Sequence, residues 1–343
     1  MKRFVCFGEI MLRLKPPGFE RFLQTHLMEA TFGGGEANVA VSLANFGLPV
    51  SYVTKLPKND LAEACLRELR GFGVDVSQVA RGGSRMGIYF LETGSNQRPS
   101  KVIYDRMNSS IAEAKPGDLD WEAILGGAGW LHLTGITPAL SQSAADLTLE
   151  AASEARRMGL TVSLDLNYRK NLWQYGKKAN EVMESVAEQA DVLVANEEDF
   201  EKSLGIKGER QDADRGHIDP QAYLPVAREA MARFSGVRKV AVTLRRSLSA
   251  DRNVWQACLY DGVEFLVSRE YEITDIVDRV GGGDSFCAGL IYGLNTYESA
   301  GDALEFAVAA SCLKHTINGD FNRVTVQEAE ALMRGSGSGR VQR

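Results

Sequence analysis

The chain is poor in the residues that build cross-links and metal centres: of 343 residues only 5 are cysteine and 4 are histidine. Cys6, Cys65, Cys258, Cys287 and Cys312 are scattered, odd in number and mostly set among apolar neighbours, which excludes a disulfide framework or a paired-cysteine zinc site. They read as buried thiols of a reducing compartment. His26, His132, His217 and His315 are too dispersed to nominate a metal site, and His132, inside an apolar run, reads as a hydrogen-bonded core residue. Positive charge is also short. A net charge of −6 argues against a nucleic-acid surface, which needs clustered Lys and Arg to meet phosphates. No apolar run is long enough to cross a bilayer, and the N-terminus lacks the basic start, long apolar stretch and small-residue cleavage site of a secretion signal. These absences predict a soluble, cytoplasmic protein that acts on a small molecule.

Several chemical signatures are missing too. Gly33-x-Gly35 has Asn38 where the dinucleotide fingerprint needs its third glycine, and Gly281-x-Gly283 has Phe286 there. Gly176-Lys177 is followed by Lys178 and lacks the earlier glycine of a phosphate-binding P-loop. Neither a His-Glu-x-x-His nor a Gly-x-Ser-x-Gly occurs, so zinc-protease and serine-hydrolase readings fall away.

What the chain does have is glycine, in two triplets that each run into a helical pattern. Gly33-Gly34-Gly35 precedes residues 36–46, where Val39, Leu43 and Phe46 share one stripe and Gly47 suits a left-handed stop. Gly281-Gly282-Gly283 precedes Asp284 and an apolar helical run. Consecutive glycines let a backbone turn sharply and aim several N–H groups at one point, where the helix dipole favours an anion such as phosphate. A carboxyl with the ordinary pKa of about 3.9 is ionised at neutral pH, so Asp284 is able to take a proton from a hydroxyl. Cradle and carboxylate together suit phosphoryl transfer to an alcohol. The alternative is a strand-ending turn with Asp284 as a helix cap.

Strands and helices alternate along the rest of the chain. Strands are expected at 4–7, 50–56, 130–133, 162–166, 192–195 and 240–244, with helices at 60–72 (Asp60 as cap), 144–158, 178–189, 222–234, 285–294 and 300–316. A last helix at 326–333 opens on Thr325 and Glu328 in capping-box spacing. Residues 255–260 and 263–267 form a hairpin across Asp261-Gly262. The pattern implies a mostly parallel α/β sheet. Ligands of such sheets sit beyond the carboxyl ends of the strands, where Asp165, Asn167 and Arg169, then Asn196, Glu197, Glu198 and Asp199, fall. One hairpin, about 87–106, interrupts the alternation and puts Val102, Tyr104 and Arg106 on one face. It reads equally as a lid over a site or as an edge packed on the body. Residues 207–219 form a surface loop, and 334–343 a flexible basic tail after a single domain over 1–333.

Taken together, Gly33-Gly34-Gly35-Glu36-Ala37-Asn38-Val39-Ala40 and Asp278-Arg279-Val280-Gly281-Gly282-Gly283-Asp284-Ser285-Phe286 resemble the two signatures of the ribokinase-like (PfkB) carbohydrate kinases. The resemblance covers nearly all of 1–333 and implies a three-layer α/β/α fold with a mostly parallel central sheet and a small β-sheet lid. Within the family the chain is most similar to the branch acting on 2-keto-3-deoxygluconate, through Gly34, Tyr89, Tyr104-Asp105-Arg106, Arg169 and Asp320. The alternatives are a kinase for another sugar or a nucleoside, or a sugar-binding regulator that lacks the reaction. The resemblance implies that ATP donates its γ-phosphoryl group to a terminal hydroxyl, with Asp284 as base and Gly281, Gly282 and Gly283 holding the transferring charge. It implies an acceptor site of Gly34, Gly35, Tyr89, Tyr104, Arg106, Arg169, Asp284 and Asp320, with Arg106 and Arg169 pairing the acid's carboxylate. Nucleotide contacts are expected from Thr243, Arg245, Gly281 and Gly283. Mg²⁺ is expected near Asn196 and Asp199, with Glu198 a competitor, and a monovalent cation such as K⁺ beside Asp278. Where relatives carry a Gly-rich turn after strand 240–244, this chain has Arg245-Arg246-Ser247-Leu248-Ser249, so its adenine end is built differently. A homo-oligomer joined through the lid is also expected.

Overall fold

The computed structural model describes residues 2–196, 198–208 and 218–335. Glu197, His217, most of the expected 207–219 loop and all but the start of the tail lie outside the described residues. In chain order the elements are β1 (Arg3–Phe7), β2 (Met11–Lys15), β3 (Glu29–Gly33), α1 (Gly35–Asn45), β4 (Val50–Val53), β5 (Lys55–Leu56), α2 (Asp60–Gly71), β6 (Ala80–Arg81), β7 (Gly87–Glu92) and β8 (Lys101–Asp105). There follow α3 (Trp121–Leu125), β9 (Ala128–Thr134), α4 (Gln142–Arg157), β10 (Thr161–Asp165), α5 (Ala179–Ala187), β11 (Val192–Ala195), α6 (Asp199–Leu204) and α7 (Tyr223–Arg233). The chain closes with β12 (Lys239–Ser247), β13 (Asn253–Tyr260), β14 (Phe265–Val267), β15 (Tyr271–Ile273), α8 (Gly282–Thr296), α9 (Ala300–Lys314) and α10 (Val326–Met333).

Strands β4-β1-β9-β10-β11-β12 pair in parallel, and β13, β14 and β15 extend the sheet antiparallel to nine strands. Both faces of the sheet are covered. Along β1, Phe4 and Cys6 join a core shared with α1, α2, α8 and α9, whereas Val5 and Phe7 join one shared with α3, α4, α5 and α7. A strand buried on both sides reads as the unbroken apolar run that marked it in the sequence. This is the three-layer α/β/α architecture.

The lid is larger than the hairpin. It is a four-stranded sheet in the order β3-β2-β7-β8, with β2 and β7 parallel and both outer pairs antiparallel. Strands β2 and β3 escaped the sequence reading. Leu12-Arg13-Leu14-Lys15 does alternate apolar and polar residues, but over only four positions, and Arg13 and Lys15 are buried where a half-buried strand would turn them to water. Several boundaries also shift, α8 among them, which starts at Gly282 and not at 285. Asn59, not Asp60, caps α2, its side chain accepting from Ala62 N at 3.0 Å. Strand β12 runs on to Ser247, pairing Arg245 with Trp255 and Arg246 with Val254, so residues 245–247 belong to a lengthened hairpin. The final helix opens on the expected capping box of Thr325 and Glu328. His132 is buried, its Nδ1 2.9 Å from Ser163 Oγ, and among the described residues no helix is long and apolar enough to cross a membrane.

Candidate active site

The carboxyl ends of β10, β11 and β12 face the lid across a cleft of about 330 Å³. The N-terminus of α8 forms its floor. Gly281 caps that helix at φ 81°, and a β-carbon there would stand 2.2 Å from the Asp320 carbonyl oxygen, so both backbone angle and space require glycine. The first-turn N–H groups of a helix have no acceptor four residues back, and Gly283 is exposed to the opening. Asp284 follows. Its carboxylate Oδ2 accepts from Asn38 Nδ2 at 2.6 Å, and a β-carbon on Gly35 would lie 3.6 Å from its Oδ1. The two glycine triplets therefore meet at one acidic group. Asp284 is half-buried, and desolvation raises its carboxyl to about 6 although Asn38 donates to the ionised form.

The other end of the cleft is made of side chains. The Tyr89 and Tyr104 rings lie 6.0 Å apart, and the Arg106 guanidinium sits 5.2 Å from the Tyr104 centroid. Tyr89 is buried, which pushes its phenol up and keeps it a donor; its hydroxyl donates to Asp320 Oδ1 at 2.5 Å. Arg106 is buried against Glu9, its Nε donating to Glu9 Oε2 at 2.7 Å, while Ser109 Oγ donates to Glu9 Oε1 at 2.8 Å. Arg169 is exposed at the rim, where its Nη1 donates to the Tyr168 carbonyl at 3.1 Å.

Thr243, Arg245 and Arg279 line the wall beyond the floor. Arg279 Nη2 donates to the Ala250 carbonyl and to Asn253 Oδ1, each at 3.2 Å, and burial, then the neighbouring Arg245, push its guanidinium down. Two cations on one wall favour an anionic guest. Opposite them stand Asp165, Asn167, Asn196 and Asp199. Burial first, then Asp199 and Asp284, pushes Asp165 well above the usual carboxylate range, and the buried Asn167 Oδ1 has no partner among the described residues.

Every sequence-nominated site residue lines this cleft except Asp278 and Glu198, the competitor expected for Mg²⁺. The Asp278 carboxylate expected beside a monovalent cation is instead neutralised by Arg13 and accepts from Val280 N and Gly319 N, each at 3.1 Å. Asn196 and Asp199 cap α6 reciprocally. Asp199 Oδ2 accepts from Asn196 N at 2.9 Å, and Asn196 Oδ1 from Asp199 N at 3.2 Å. Four participants carried no role in the sequence reading: Asn38, Glu9, Arg13 and Arg279. Asn38 and Arg279 stand inside the quoted signatures. Glu9 and Arg13 are isolated charges in apolar surroundings, a weak signal that pairing alone explains.

The fold and the site together define a class: an α/β phosphotransferase with an anion cradle, an acidic side chain and a lidded acceptor pocket. The chain belongs to the pfkB family of carbohydrate kinases, whose family model matches residues 1–320. It is similar, at 48% identity and TM-score 0.92 over 98% of this chain and 100% of the other, to the crystal structure of 2-dehydro-3-deoxygluconokinase from Thermotoga maritima. A 2-dehydro-3-deoxygalactonokinase from Haloferax volcanii is 32% identical over 98% of each chain. A 2-dehydro-3-deoxygluconokinase from Bacillus subtilis is 27% identical, over 94% of this chain and 93% of that one.

Proposed function

We propose that the protein transfers the γ-phosphoryl group of ATP to the terminal hydroxyl of 2-keto-3-deoxygluconate, giving 2-keto-3-deoxy-6-phosphogluconate. One observation carries the reading most. A cation-rimmed, tyrosine-lined pocket and a helix N-terminus share one cleft, with the Asp284 carboxylate between them. The hydroxyl proton passes to Asp284, the oxygen attacks phosphorus in line, and the Gly281–Asp284 amides hold the charge of the transferring group. Arg169 pairs the acid's carboxylate, since Arg106 is already engaged by Glu9 and contributes position more than net charge. Arg245 and Arg279 meet the nucleotide phosphates.

Mg²⁺ fits the acidic wall, where Asn167 Oδ1, without a partner among the described residues, and the crowded Asp165 favour a cation. Bound there, it would neutralise the phosphate oxygens. Among the described residues no three His, Cys, Asp or Glu side chains converge on one point, so phosphates and water would complete its shell. The outer lid exposes Ile103 and Met107, and a second copy of the chain covers them; sedimentation reads this directly, a monomer at micromolar concentration counting against it.

A coupled ADP-release assay over 2-keto-3-deoxygluconate, its C4 epimer, fructose and ribose tests the acceptor. The 32% identical relative named for the galacto acid favours the epimer as the second reading. Turnover of fructose or ribose with none for either acid sinks the proposal.

A further inference from the structure

Four charged side chains are buried together behind the Gly281–Asp284 bend. Arg13 and Lys314 are 1% and 0% exposed, and Asp278 and Asp320 are 5% and 4%. Arg13 bridges the two carboxylates, with Nη1 2.6 Å from Asp320 Oδ1 and Nη2 on Asp278. Lys314 is placed differently. It ends α9, its Nζ donates to the Ile317 carbonyl at 3.2 Å, and its Cε would lie 3.3 Å from a β-carbon on Gly281. Two loops enclose it. Val277 N and Asp278 N donate to the His315 carbonyl at 2.8 and 3.2 Å, and the Asp320 carbonyl closes against Gly281. Burial pushes the ammonium down, yet Asp278 and Asp320 favour its charged form. Burying an ammonium costs several kcal/mol, so a role beyond packing is expected of it.

The family resemblance placed a monovalent cation beside this bend. The residues here do not fit one, since Arg13 neutralises Asp278 and the end of the Lys314 side chain, its Cε nearest, packs against Gly281. We propose that Lys314 supplies, as part of the chain, the positive charge that such a cation would give the bend, so that phosphate binding is independent of potassium. Lys314 is a positioning residue. It acts through the Gly281–Asp284 backbone and on Asp284, whose carboxyl it helps hold down. The inference rests on phosphate binding at this bend, not on which acceptor is used.

The test is calorimetric binding of a non-hydrolysable ATP analogue with Mg²⁺, in potassium, sodium or tetramethylammonium chloride at equal ionic strength. The unaltered protein should bind within about twofold in all three, and a tightening of about threefold or more by potassium overturns the proposal. Lys314→Ala should bind at least about fivefold more weakly in tetramethylammonium, with potassium or ammonium restoring part of the loss. Lys314→Met, whose stem keeps the space filled, should be weakened and not restored. Alanine-variant binding equal to the unaltered protein in every salt makes Lys314 mere packing and overturns the proposal. Should the variants not fold, the salt series on the unaltered protein decides. Failure of the sugar-acid reading would appear in the acceptor panel and leave this measurement untouched.

Discussion

The two ends of the cleft are built from different material. The end proposed to take phosphate is mainly backbone, a left-handed glycine, a helix N-terminus and Asp284 on its first turn within four consecutive residues, with Arg245 and Arg279 on the wall beyond. The acceptor end is side chains from separate strands and loops: Tyr89 and Arg106 are held by Asp320 and Glu9, 231 and 97 residues away, Tyr104 packs between them, and Arg169 meets the carbonyl of its neighbour Tyr168. A backbone site tolerates little change and varies little in what it binds. A side-chain site is retuned by single substitutions, which is where acceptor specificity within one fold can reside.

Substitutions at the two ends should therefore fail in different ways. The largest effect is expected from Asp284→Asn, with kcat falling about 10³-fold or more while the acceptor KM stays within about threefold. Unchanged turnover in the coupled assay would abolish the contrast by making Asp284 a helix cap. Gly281→Ala comes next. Its positive φ and the nearby Asp320 carbonyl predict a loss of about 1–3 kcal/mol in stability and about 10²-fold in kcat/KM for ATP, read by urea melts and kinetics.

At the acceptor end the two arginines should separate. Arg169→Ala should lower kcat/KM for the sugar acid about 10–100-fold and leave a neutral sugar's low rate alone. Arg106→Ala strands the buried Glu9 and should cost about 3–5 kcal/mol of stability. If the arginines exchange these phenotypes, Arg106 is the carboxylate's partner after all.

The smallest effect concerns pH. Asp284 is raised in the folded protein from 3.8 to about 6, so folding binds its proton more tightly. Its contribution to stability is whole below about pH 4 and is lost as pH rises through about 6. The full shift converts to about 3 kcal/mol, but the half-open carboxylate is partly screened by water, leaving about 1 kcal/mol. Asp284→Asn should thus be more stable by about 1 kcal/mol at pH 7 and indistinguishable at pH 4, in urea melts. Turnover, which needs the ionised form, should fall below about pH 6.

Legibility followed the same division. Both triplets, the alternation of strand and helix and the Thr325–Glu328 cap were readable because each is a local pattern of a few residues. Strand β2 was not, because its alternation spans only four residues and the burial of Arg13 and Lys15 is something no local rule anticipates. The pairing of Asp278 was hidden for the same reason. Its place in the signature was visible, but its guanidinium partner lies 265 residues away.

By itself the sequence determined the covered parallel sheet, the anion cradle and the carboxylate beside it, since φ, helix dipole and hydrophobic period act over one or two turns. Only the tertiary structure decided which charges meet. Arg13 finds Asp320 across 307 residues and Arg106 finds Glu9 across 97. Such pairs are chosen by desolvation: a charge taken out of water must find its opposite, and which one it reaches depends on how the layers close.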